Sequence, residues 1–198
     1  MPIEVISDLL SEQNSARGIQ SKLVLQCAPL LKGIKVSAII NLPSQAEAFL
    51  AESLRGTELS YRVLWRNRGK ILVFFYWEDA FARHIKAAEN LCFLRKYGYR
   101  EADTEKMLTR LSGRIKTCGG PEKAFPHEIG VFLAYPLEDV AGFIRKKGRD
   151  YLLAGYWKVY RNPESAGRLF RAYDEAKKKA VSEFLAGRNL REIVVQAA

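Results

Sequence analysis

The sequence predicts an α+β fold: a small, mostly antiparallel sheet of about four strands covered by helices, in a single domain over residues 1–198. Three observations carry that expectation. LSYRVLWR alternates apolar and polar residues, ILVFFYW does not, and Asn67-Arg68-Gly69 joins them, which reads as a hairpin with one wet and one buried strand. Stretches with apolar residues at helical spacing stand on both sides of that hairpin. No internal repeat, linker or low-complexity segment divides the 198 residues.

The elements follow in chain order. Residues 3–27 predict a helix, either continuous or broken near Gly18, with Ile19, Leu23 and Gln26/Cys27 on one side, limited by Pro29 because a proline disfavours helix in the residue before it. IKVSAIINL, bounded by Gly33 and Pro43, predicts a strand. Ser44-Gln45-Ala46-Glu47 fits a capping box, in which the serine oxygen takes the N3 amide and Glu47 reaches back; the helix then runs to about Arg55. In the hairpin, Leu59, Tyr61, Val63 and Trp65 share one face, and Ser60, Arg62 and Arg66 the other. ILVFFYW then lies beside it as a central strand buried on both faces.

Residues 79–97 predict one long helix with Phe81, Ile85, Ala88, Leu91 and Leu94 inward, ended by Gly98. Residues 104–116 predict another, with Met107, Leu108, Leu111 and Ile115 inward, followed by a loop at Cys118-Gly119-Gly120-Pro121. Pro126–Ala134 reads as a short helix with proline at its first position, where the missing N–H costs nothing. Pro136 starts a further helix, with Leu137, Val140 and Ile144 inward and Gly148 at its end. Residues 151–160 predict a short β segment with Gly155 inside it. Asn162-Pro163-Glu164 supplies a cap, a proline and an acid at the start of a last helix reaching about Ala186.

Composition bounds the function classes. With 48% hydrophobic and 27% charged residues the chain is globular rather than disordered. The N-terminus carries Glu4 and Asp8 with no basic cluster, unlike a secretory or transit signal. The longest apolar run, residues 71–77, falls short of the roughly 20 residues of a membrane span. No membrane partner and a soluble, cytoplasmic protein are therefore expected. The three cysteines, Cys27, Cys92 and Cys118, are odd in number and include no C-x-x-C, which argues against a disulfide framework and fits a reducing compartment. The net charge of +10 is uneven: −1 over residues 1–60, +7 over 61–120 and +4 over the rest. Such a basic middle attracts phosphate-bearing partners, or is simply a solvated surface.

Candidate chemistry centres on Pro126-His127-Glu128. H-E-x-x-H is absent, because Val131 stands four residues after His127, and His84 is the only other histidine. A metal site would need distant ligands such as His84 or a cysteine, so none is assigned. Cys27 is a candidate nucleophile, with His127 as its base and Glu128 or Asp139 orienting the ring. Gly119-Gly120 lacks the Lys-Ser/Thr of a phosphate-binding loop. Arg62, Arg66, Arg68 and Lys70 cluster at the hairpin with Tyr61 and Trp65 between them, a composition that suits stacked bases and phosphates. However, alternation puts both rings on the core face, so nucleic acid is not the favoured partner.

Four strings together, CAPLLKGIK, FPHEIGVFLAYPLEDVAGFI, KGRDYLLAGYWKVY and LFRAYDEAKK, resemble a bacterial domain-of-unknown-function family, number thirty-seven ninety-three. The resemblance covers nearly the whole chain. It implies a stand-alone cytoplasmic protein, chiefly of anaerobic bacteria, with no established activity. It directs attention to Cys27, His127, Glu128 and Asp139 as candidate catalytic residues, and to Tyr156, Trp157 and Lys158 as candidate ligand-binding residues. It also implies a cysteine just before Gly-Tyr-Trp-Lys, where this chain has Ala154. The leading expectation is a small molecule or cofactor, of unknown identity, bound near Cys27 and His127. The competing one is a non-catalytic module that holds nucleic acid or another acidic partner on the basic hairpin at 60–70.

Overall fold

The structure, a computed structural model, describes residues 15–100, 102–117 and 125–195. The first part of the predicted 3–27 helix and the predicted loop at Cys118–Pro121 lie outside those residues. The fold is α+β, with a three-stranded antiparallel sheet, a two-stranded antiparallel sheet and helices around them. The chain divides into two compact units, one of residues 1–78 with 171–198, the other of residues 79–170.

The first unit opens with α1, Ala16–Leu31, capped by Ser15, whose side chain accepts from the Gly18 amide. The helix does not stop at Cys27-Ala28 as the proline predicts; it runs through Pro29 for one more turn. Proline lacks an N–H and crowds the preceding turn. Here its ring is buried, and its carbonyl accepts from the amides of both Ile34 and Lys35. Then come β1 (Ser37–Pro43), α2 (Ala46–Ser53), β2 (Leu59–Asn67) and β3 (Lys70–Trp77). The capping box does not form: α2 has no side-chain cap, and Glu47 instead holds the Arg66 guanidinium in a two-oxygen ion pair.

The strand order is β1-β3-β2, so ILVFFYW is the central strand. Ile71, Val73 and Phe75 join the core of this unit, while Phe74 and Tyr76 on the opposite face are buried too. Each such side chain contributes roughly 1.5–3 kcal/mol by leaving water. Strand β2 departs from its predicted alternation. A bulge between Val63 and Trp65 shifts the register at Leu64: Val63 pairs with Val73 and Trp65 with Leu72. Cross-strand partners share a face, so Trp65 lies opposite Tyr61 and Val63, and Leu64 is buried.

The second unit contains α3 (its first residue Glu78 closing the first unit, as Glu78–Ile85), α4 (Ala88–Arg95) and α5 (Thr104–Lys116). The predicted single helix over 79–97 is thus two. The break is chemical: the Asn90 side chain donates to the His84 carbonyl at 2.8 Å, and Ala87 takes an extended ψ of 137°. Next are α6 (Ile129–Phe132), α7 (Leu137–Lys146), and two short strands, β4 (Leu153–Ala154) and β5 (Lys158–Val159). Residues 151–160 are therefore a tight hairpin and not one strand, with Leu153 opposite Val159 and Ala154 opposite Lys158. Helix α8, Pro163–Leu185, belongs to this unit up to Phe170 and to the first from Arg171. A short α9 (Leu190–Ile193) follows, opened by a capping box of Asn189 and Glu192. No helix among the described residues is long and apolar enough to cross a membrane.

Candidate ligand-binding site

The second unit holds a cleft of about 370 Å3 between the turn into α6, helix α7 and the β4–β5 hairpin. Two glycines let those parts come together. A Cβ on Gly155 would sit 2.3 Å from Cε2 of Phe170, and one on Gly142 would sit 2.6 Å from Cγ of Tyr160. Both distances are shorter than any real carbon contact. Only glycine allows the hairpin to lie against the start of α8 and the residue after it to lie against α7.

Asp139 fastens the hairpin to α7. Its carboxylate is 2% exposed. One oxygen accepts from Trp157 Nε1 at 2.7 Å, and the other from the amides of Tyr160 at 2.7 Å and Arg161 at 3.1 Å. It stands in the first turn of α7, where the helix dipole favours a negative charge. A buried carboxylate needs such donors to be tolerated at all. Trp157 is further fixed by a stack on Tyr135 at 5.0 Å and an edge contact with Phe170 at 4.6 Å. Burial raises the Tyr135 phenol above its usual range, and its hydroxyl donates to the Tyr156 carbonyl.

His127 and Glu128 form the turn that leads into α6, with the carbonyls of Pro126 and His127 accepting from the amides of Ile129 and Gly130. From there their side chains part. His127 is exposed and lines the cleft, its ring edge-on to Phe143 at 5.0 Å. Glu128 is 1% exposed and takes the Tyr99 hydroxyl at 3.1 Å together with the Arg114 guanidinium. Burial first, then the Glu128 charge, pushes the Tyr99 phenol up. Glu128 thereby ties α5 to the turn behind the cleft.

Lys158 lies on the opposite wall. Its ammonium donates to the Gly148 carbonyl at 2.7 Å and stands 4.9 Å from the ring centre of Tyr151 and 5.9 Å from that of Phe143. Ile129, Leu133, Val140, Phe143 and Ala154 complete an apolar lining. Tyr156 is half-buried beside Phe170, outside the lining.

Cys27 falls in the first unit, 1% exposed within its core cluster. Burial pushes its thiol up to about 12, against a smaller opposite pull from Lys35, so it is protonated at neutral pH. It does not line the cleft. Cys118 lies outside the described residues. Of the seven residues singled out from sequence, His127, Asp139, Trp157 and Lys158 meet at the cleft; Glu128 and Tyr156 stand behind it. Phe143 was missed, although it stands four residues after Asp139 and three after Val140, the spacing of one helix face. His84 is spent on structure, its Nε2 donating to the Val131 carbonyl at 2.8 Å.

At the basic hairpin, Arg66 is engaged by Glu47, and the bulge puts Tyr61 and Trp65 on opposite faces. The two rings do not form one stacking row.

The profile of a family described as "Protein of unknown function (DUF3793)" matches residues 23–194. The chain belongs to the DUF3793 family. The match takes in both units of this DUF3793 member, including every residue that lines the cleft. No curated protein and no solved structure matches the chain.

Proposed function

We propose that this DUF3793 protein binds a small, largely apolar molecule in the cleft formed by the turn at His127, helix α7 and the β4–β5 hairpin. The supporting observation is the lining itself. About 370 Å3 is enclosed by Ile129, Leu133, Val140, Phe143 and Trp157, with His127 and Lys158 as the polar side chains still able to meet a ligand. That volume falls in the range of roughly 300–1,000 Å3 typical of ligand sites, and an apolar wall with few placed polar groups is their usual make-up. We also place the protein in the cytoplasm, which the free thiols of Cys27 and Cys92 support.

Native mass spectrometry of protein purified from its own host tests the reading. A retained small molecule is expected on the wild type and is expected to be lost from Ala154→Trp, which fills the cleft from an exposed position. Retention by the plugged variant would place the ligand elsewhere and overturn the assignment.

A further inference from the structure

We infer that the ligand carries a carboxylate, seated on Lys158, at one end of its apolar body. The inference rests on the cleft being the binding site. The charges around the cleft lead to it. Asp139 is the lining acid, and both its oxygens are engaged by the chain: Trp157 Nε1 on one, the Tyr160 and Arg161 amides on the other. Its charge is thus spent on the hairpin. Lys158, by contrast, has no carboxylate within ion-pair distance among the described residues, and Glu138 and Glu128 of the same unit are held by Arg161 and Arg114. Its ammonium has one carbonyl partner, Gly148, at 2.7 Å, and two N–H groups left.

The surroundings raise the value of an anion there. Lys158 is half-buried, with the rings of Tyr151 and Phe143 beside its ammonium. Aromatic faces attract the cation weakly but leave it without a counter-charge. A charge kept away from water gains more from an opposite charge than a solvated one does. His127, packed against the same Phe143 ring, is the other polar side chain of the lining besides Asp139 that a ligand in the cleft can meet. One lysine suits a single negative charge. The remaining walls offer hydrocarbon and rings, which suits an aryl or branched alkyl acid.

Matched pairs of acids and their amides test this: phenylacetate with phenylacetamide, and indole-3-acetate with indole-3-acetamide, titrated calorimetrically against the whole chain. The acids are expected to bind at least tenfold more tightly than their amides. Lys158→Met, which keeps the aliphatic stem, is expected to bring acid and amide to within about twofold of each other; Lys158→Arg is expected to retain the preference. Equal binding of acid and amide by the wild type overturns the carboxylate and leaves the cleft standing, provided Ala154→Trp abolishes both. Binding of neither series, or binding that survives the tryptophan plug, overturns the cleft and the carboxylate together.

Discussion

Asp139 illustrates how a residue picked out for chemistry turns out to hold structure. Its two oxygens take three N–H donors from one short segment, residues 157–161. Asp139→Ala would strand a buried indole N–H and two amides, and orphaned donors cost about 1–3 kcal/mol each. The expected loss in urea unfolding is at least roughly 3 kcal/mol, with Asp139→Asn losing about half as much because one oxygen remains. A loss below 0.5 kcal/mol, on the order of an ordinary surface change, would contradict the clamp. Four of the residues that line the candidate cleft, His127, Asp139, Trp157 and Lys158, stand in the strings that carry the family resemblance. Their duties were not legible in sequence. Glu128 looks like a partner for the adjacent His127, yet it turns to Tyr99 and Arg114, which lie 29 and 14 residues away in the chain. Neighbours in sequence on a tight turn point apart, and nothing in composition tells which distant donor will claim a buried acid.

Among the elements, the hairpin at 59–77 was readable because period-2 alternation on one strand and unbroken apolarity on the next have a direct physical meaning. The bulge at Leu64 was not, since one extra residue changes the face of everything after it and leaves no mark on composition. The break between α3 and α4 has the same character: apolar spacing continues through it, and a single Asn90 side chain diverts the His84 carbonyl. The β4–β5 hairpin depends on one missing atom. Gly155→Ala would force a methyl to within 2.3 Å of the Phe170 ring. Overpacking of this kind costs roughly 1–3 kcal/mol. Gly155→Ala is therefore expected to lower the thermal midpoint, and the companion change Phe170→Leu, which withdraws the ring edge, is expected to recover part of that loss. Equal stability of the glycine and alanine chains would show that the contact is not tight.

For the molecule as a whole, pH offers a reading of its buried ionisable groups. Burial lowers Lys35 from 10.5 to about 8, offset in part by Cys27. Burial raises Cys27 from 9.0 to about 12. Between pH 8 and 10.5 the folded chain therefore holds fewer protons at Lys35 than the unfolded chain does, and stability rises with pH by up to about 1.4 kcal/mol per unit. From pH 9 to 12 the folded chain keeps a proton on Cys27 that the unfolded chain loses, and stability falls at a similar rate. The wild type is expected to gain stability from pH 8 to 9 and then level off. Lys35→Met is expected to stay level to pH 9 and then decline. Urea midpoints taken at half-unit steps compare the two chains, in which all other titrations are shared. Parallel curves would mean that Lys35 is solvated.

The Asp139 clamp also bears on how the cleft would choose its occupant. Helix α7 forms one wall and the β4–β5 hairpin the other; the Asp139 carboxylate joins them at the root, and Lys158 ties the hairpin to the Gly148 carbonyl just past the helix. Walls joined in that way do not spread to admit a larger guest without giving up the bonds that join them. A ligand of the kind proposed would meet such a site as a fixed gauge, graded by girth, with homologues one ring too wide refused.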